Sequence, residues 1–309
     1  MIPAQPHPAR RVPVQPARMG RRTKRRCRVR ARGFTLIELI VTIVLFAIMA
    51  GTLTLFFKPA FDTWMAARTR GALAAGADNA MSRVLRDVQS AVPNSLRTPS
   101  TDCFELVPTS LGGRYRMAND TLVAGSAAVD PSASTTSFDV LSPLPSLPAV
   151  GDWVVVDNQN TGDVYSGVNR SAITAVSTPD PALGQHRLGI DALQFPLGYD
   201  GGRFVVVPQA QQAVFYVCSG ASSTLGANGD APGVLYRLKN YGFNAAAPSA
   251  CPTTAGADVL ATGLSACRFL YAANQGATQQ SGFVSVQLEF TRNRETASLV
   301  FGAHVMNTP

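Results

Sequence analysis

Histidine is nearly absent from this sequence: three occur in 309 residues, and one of them, His7, lies in the first ten. No H-E-x-x-H, no G-x-S-x-G and no phosphate-binding glycine loop with a terminal lysine is present, which removes the common metalloprotease, serine-hydrolase and nucleotidase patterns. The nearest approach, GLSAC at 263–267, lacks the second glycine, so Ser265 reads as a loop or strand-edge residue. Cys267 and His304 are a conceivable nucleophile and base. In an exported chain they read instead as a disulfide cysteine and an edge-strand histidine. Charge is also scarce, at 15% of residues. Acidic residues are missing altogether from positions 1–33, which hold 11 of the 27 Lys and Arg. The rest of the chain therefore carries a slight acidic excess, and nucleic-acid binding by the main body is disfavoured.

Cysteine is sparse and never arranged as C-x-x-C, which argues against a zinc ribbon or a thioredoxin-like pair. Cys27 sits in the basic stretch. Cys103, Cys218, Cys251 and Cys267 are spread through the remainder, an even set that suits one or two disulfides in an exported body, with three full pairings open. DNQNTGD at 157–163 approximates a calcium loop through Asp157 and Asp163. Without an acidic closing ligand at the right distance, it reads as an Asn/Asp-rich turn. No other metal site and no cofactor is expected.

What the chain does possess is one long apolar run. Residues 1–18 are proline-rich and predict no packed structure. The run RRTKRRCRVRARG follows, and then FTLIELIVTIVLFAIMAGTLTLFF. From Phe34 to Phe57 the only charge is Glu38. As a helix this stretch reaches roughly 36 Å, enough to cross a bilayer. The cationic block predicts a cytoplasmic N-terminus with the remainder on the far side. A carboxylate inside a spanning helix costs about 2.5–3.5 kcal/mol at mid-depth and so calls for a partner.

The segment R-G-F-T-L-I-E-L, Arg32 to Leu39, resembles the processing site of type IV prepilins and type II secretion pseudopilins. That resemblance implies cleavage by a prepilin peptidase after Gly33, methylation of the new N-terminus at Phe34, and a role for Glu38 in pairing with the N-terminal amine of a neighbouring subunit. It further implies partners among other pilins or pseudopilins and an inner-membrane assembly platform, a periplasmic head, and a subunit that is not an enzyme. A 33-residue leader is long for this family; Met19 is the expected start, which gives a leader of ordinary length. The stretches 77–97, 103–116, 265–271 and 304–309 resemble minor pilin-like biogenesis proteins of the mannose-sensitive haemagglutinin pilus. J- and W-type minor pseudopilins share the plan and stay open as alternatives, as does a pilus-tip adhesin module.

Beyond Pro59, which can kink a helix without ending it, Ala77, Met81, Val84, Leu85, Val88 and Val92 mark one apolar stripe, with Arg83, Arg86, Asp87 and Gln89 expected outward. After Pro93 the period becomes two. Strands are expected at 103–107, 114–117, 136–141, 153–157, 171–176, 203–207, 213–218, 234–238, 283–290 and 298–305, with loops at 142–151, 219–233 and 244–258. The predicted fold class is α+β: a long N-terminal helix, half transmembrane and half amphipathic, packed on an antiparallel β-sheet head. The expected division is a leader at 1–33, a membrane or filament-core helix at 34–57, an amphipathic helix at 58–92 and a β-rich head at 93–309, with two sheet lobes dividing near 196–203.

Overall fold

The computed structural model describes residues 33–197, 201–275 and 281–306. The leader, with Met19 and Cys27, lies outside them. The fold is α+β, a long helix followed by antiparallel sheet. Helix α1 spans Leu36–Gln89, 54 residues, and continues through Pro59. By compactness the chain divides into residues 1–59 and 60–309.

In the first unit the helix presents apolar side chains all round, and none of its membrane-length window is buried. Its threonines do not conflict with an apolar setting, because each turns its hydroxyl back onto the helix. Thr42 donates to the Leu39 carbonyl at 2.8 Å, Thr52 to Met49 at 2.9 Å and Thr54 to Ala50 at 2.9 Å.

In the second unit the helix buries one face, Leu73, Ala77, Ala80, Met81, Val84 and Val88, at the spacing of an amphipathic stripe. Among the described residues thirteen strands follow: β1 Arg97–Ser100, β2 Cys103–Leu106, β3 Leu111–Arg114, β4 Thr135–Val140, β5 Trp153–Val156, β6 Arg170–Ser177, β7 His186–Leu193, β8 Arg203–Val207, β9 Val214–Ser219, β10 Gly233–Leu238, β11 Asp258–Gln275, β12 Ser281–Arg292 and β13 Glu295–Met306. A one-turn helix α2, Asp163–Ser166, lies between β5 and β6.

The strands form two sheets. The larger runs β1-β2-β9-β10-β11-β12-β13. It packs the helix stripe against Phe104, Leu106, Val214, Tyr216, Leu235, Phe269, Val284, Val286 and Leu288. Phe104 stacks on Tyr216 at 5.0 Å and meets the edge of Phe269 at 4.8 Å. The smaller sheet runs β3-β8-β5-β6-β7-β4. Its two outermost strands meet: Arg116 N–H donates to the Asp139 carbonyl at 2.9 Å and Leu141 N–H to Arg114 at 2.8 Å. The sheet thus closes into a small barrel, which removes its free edges. Phe138, Phe204, Val154, Ile173 and Leu188 fill it. Asp139, fully buried in its wall, accepts from Arg187 Nε at 2.7 Å and from Ala127 N–H at 2.8 Å. The barrel is inserted between β2 and β9, so the two sheets are not successive along the chain.

Four strands depart from the sequence pattern, each for a local reason. β3, expected at 114–117, lies at Leu111–Arg114, where Gly112 and Gly113 carry no side chain to mark the period and the pairing with β8 sets the strand. β1 (RTPS) has no apolar residue, and its Pro99 is tolerated because β1 is an edge strand. In β7 only Leu188 and Ile190 are deeply buried, and the facing strand β6 shifts register between Ile173 and Ala175. β11 begins inside an expected loop. Its alternation is broken by left-handed Gly263 and by register shifts at Leu264/Ala266 and Ala272/Gln275.

Candidate functional site

The helix begins at a local instruction in the sequence. Thr35 precedes the first helical residue, and its Oγ1 accepts from the Glu38 backbone N–H at 3.3 Å, while its carbonyl accepts from Leu39 N–H at 3.1 Å. Thr35 is thus the N-cap, and Thr-Leu-Ile-Glu has the spacing of a capping box. The carboxylate of Glu38 lies in the first turn, where the helix dipole favours negative charge. Gly33 and Phe34 stand just outside the helix in irregular backbone, with Phe34 71% exposed. A peptide bond in irregular, accessible chain next to a helix start is open to a protease, whereas one inside the helix is not. Among the described residues the Glu38 side chain makes no hydrogen bond or ion pair. It is therefore a carboxylate in an otherwise apolar segment, about one helical turn from Phe34.

The four cysteines of the head form two disulfides, Cys103–Cys251 and Cys218–Cys267. Cys267 is thereby removed as a nucleophile, and His304 packs instead against the Phe283 ring at 5.2 Å. Ser265, expected in a loop or at a strand edge, is buried within β11. Its hydroxyl donates to Glu289 Oε1 at 2.8 Å and accepts from Thr291 at 3.1 Å.

The Asp157–Asp163 stretch holds a turn, with Asp163 N–H donating to the Asn160 carbonyl at 3.2 Å, and leads into α2. Asp163 Oδ2 accepts from Asn160 N–H at 2.9 Å. Asp157, in left-handed backbone, faces Tyr115: burial first, and then the Asp157 carboxylate beside it, push the Tyr115 hydroxyl up to about 12. Among the described residues no three His, Cys, Asp or Glu side chains cluster as metal ligands.

A further expectation is corrected. Asp87, expected outward, is buried. Its Oδ2 accepts from Arg237 Nη2 at 2.6 Å, Arg237 Nε at 2.9 Å and the Tyr216 hydroxyl at 2.7 Å, and Arg83 stands 3.5 Å from Oδ1. A helical-wheel reading assigns charge to the solvent face. It has no access to an arginine 150 residues away that satisfies the charge inside. Burial and the Asp87 charge, in that order, raise the Tyr216 hydroxyl.

The Thr35 cap, in contrast, was available from the T-x-x-E spacing alone.

Among known families, residues 28–54 match the model of the prokaryotic N-terminal methylation motif. No curated protein and no solved structure matches the chain. The motif supports a type IV pilin or pseudopilin-like chain, made as a prepilin, processed by prepilin peptidase and assembled with other pilins. Members carrying it are structural subunits, not enzymes. Together with the long apolar helix it indicates membrane anchoring with a soluble head.

Proposed function

We propose that this chain is a minor pilin or pseudopilin, cleaved after Gly33 and N-methylated at Phe34, that primes or tips a filament assembled from the inner membrane. The observation that carries the reading is the start of α1: an exposed Gly33–Phe34 bond, a capped helix at Thr35, and Glu38 in the first turn of a helix apolar on every side. Cleavage creates an ammonium at Phe34. In a bundle of apolar helices, that ammonium and the Glu38 carboxylate of an adjacent subunit form a pair whose attraction is strong because water is excluded. Left unpaired there, either charge costs several kcal/mol, roughly, so the pairing also fixes the axial register of subunits. Before assembly the arginine-rich leader holds the N-terminus in the cytoplasm and the head stands in the periplasm.

The four scattered stretches cited above favour the mannose-sensitive haemagglutinin type of pilus over the type II secretion pseudopilus. The decisive measurement is intact and N-terminal-peptide mass spectrometry of protein isolated from its native host. A mature chain beginning with N-methyl-Phe34 is expected. Full-length protein with the leader retained overturns the proposal. Gly33→Val is expected to retain the leader and to show whether translation starts at Met19.

A further inference from the structure

Most strand edges in this fold are protected. The smaller sheet closes on itself. At one margin of the larger sheet, β1 is four residues long and carries Pro99. It is also covered, where Arg97 Nη1 donates to the carbonyls of Asn244 at 3.0 Å and Ala246 at 3.1 Å. Short strands, prolines and covering segments are the usual means of keeping foreign strands away. β13, at the other margin, has none of them. It is twelve residues long and contains no proline, lysine or arginine. It pairs with β12 from Arg292↔Glu295 to Ser281↔Met306 without a register shift. Glu295, its one acidic residue, stands at the first position, 3.6 Å from Arg70. Among the described residues, no backbone group from Glu295 to Met306 bonds outside the pairing with β12. Every second residue therefore turns an N–H and a C=O to the open side.

The side chains at this margin are apolar on both faces. Ala303 and Val305 are buried in the core that α1 shares, and Leu299 packs at its border. Phe301, on that same face, is still 37% exposed, and Val300, on the opposite face, is 69% exposed. The core is thus cut off at β13 rather than finished by it. One more strand would finish it. A strand supplies backbone donors and acceptors at the spacing of the open edge, and apolar side chains on both faces at once.

We propose that this strand is β13 of a second copy, paired antiparallel about a two-fold axis with the two Val300 residues opposite each other. In that register β13 is its own complement. Residues directly opposite share a face. Leu299 therefore meets the second copy's Phe301 on the core side, and Ala297 meets Ala303. On the other face Thr296 meets His304 and Ser298 meets Gly302. The two Glu295 carboxylates fall about 34 Å apart along the strands, so no like charges are apposed. Apolar residues thus match on both faces, and no acid, lysine or arginine is brought to the middle. The inference stands apart from the pilin reading, since no residue of the apolar run 34–57 enters it.

The test uses the full chain, carrying Cys27→Ser to remove the leader thiol, in detergent. Sedimentation equilibrium is expected to show a monomer–dimer equilibrium with a Kd on the order of micromolar. Val300→Lys sets two ammonium groups opposite each other at an exposed position. It should weaken the dimer at least about tenfold without moving the unfolding midpoint of the dilute chain. Val300→Cys should give a covalent dimer with copper–phenanthroline, because opposite Cβ atoms stand about 4.5–5.5 Å apart, within reach of a disulfide. Ser298→Cys should not, since its counterpart lies about 14 Å away along the strand. Should Val300→Lys fail to fold, the two cysteine variants carry the test. A chain that stays monomeric at about 100 µM, roughly a hundred times that Kd, overturns the proposal, even if its edge accepts an unrelated strand. So does Val300→Lys dimerising as the parent does, which assigns the association to the apolar helix. So does Ser298→Cys cross-linking as readily as Val300→Cys.

Discussion

Asp87 offers the sharpest test of how the helix is held on the sheet. It lies in the last turn of α1, where the helix dipole disfavours an acidic side chain by about 0.3–1 kcal/mol. Its location is therefore not explained by the helix. It is explained by Arg237 and Tyr216, which together direct three hydrogen bonds at one carboxylate oxygen. The ionic side chains are 7% and 3% exposed, so water cannot replace a lost partner. Asp87→Ala should then cost about 3–5 kcal/mol, the usual penalty for stranding one member of a buried pair. Tyr216→Phe, which removes one donor and strands nothing charged, should cost about 1 kcal/mol. Replacing the cluster together, Asp87→Leu with Tyr216→Phe and Arg237→Met, should recover most of the loss, because the buried charge is then gone from both sides. Urea unfolding of the detergent-solubilised chain, followed by near-ultraviolet circular dichroism, measures each value. If Asp87→Ala costs less than about 1 kcal/mol, or if the triple variant is no better than the single one, the charge is not buried as described and the reasoning fails.

Three further outcomes are expected. Glu38→Val leaves the Thr35 cap intact, since the cap uses the backbone N–H; membrane insertion should persist while filament number in electron micrographs falls sharply, and normal filament counts would remove Glu38 from assembly. Opening Cys103–Cys251, which spans 148 residues, should destabilise by about 5 kcal/mol against about 4 for Cys218–Cys267, which spans 49, on chain-entropy grounds; paired Cys→Ala variants compared by thermal unfolding give the order, and the reverse order would refute it. Burial holds the Glu105 carboxyl above the usual glutamate value, with Tyr241 and Arg97 opposing the shift. The folded state then binds more protons than the unfolded one just above that value, so this residue's contribution is fullest at low pH and is lost as pH rises through its folded-state value. Glu105→Gln should therefore lose its disadvantage relative to the parent as pH rises from about 4 toward 7 in a stability–pH series; an unchanged difference across that window would contradict the burial.

How much of this was legible in the sequence depended on the range of the interaction concerned. The apolar run, the helix stripe from Ala77 to Val88 and strands such as 283–290 follow from side-chain periodicity, which is local, and they lie where the pattern puts them. Thr35 and Glu38 belong to the same class, since a cap is a matter of three residues. Asp87 does not, because the partner that makes its burial tolerable is brought near only by β9 and β10. β1 and β11 escaped for a related reason: an edge strand without apolar residues and a strand broken by bulges carry their pairing in the neighbours. The disulfide pairing was open among three connectivities until the fold brought Cys218 near Cys267 and the connection between β10 and β11 carried Cys251 to Cys103.

The barrel leaves and rejoins the larger sheet through β3 and β8, which lie side by side with Leu111 opposite Val206. A segment whose two ends are adjacent can vary in length without altering the pairing of β2 with β9, provided that it keeps the wall of Val155, Val164 and Tyr165 that packs on Val92 beyond the helix end. Residues 111–207 are therefore a cassette, and relatives of this chain are free to differ there in size and chemistry while keeping the same mount.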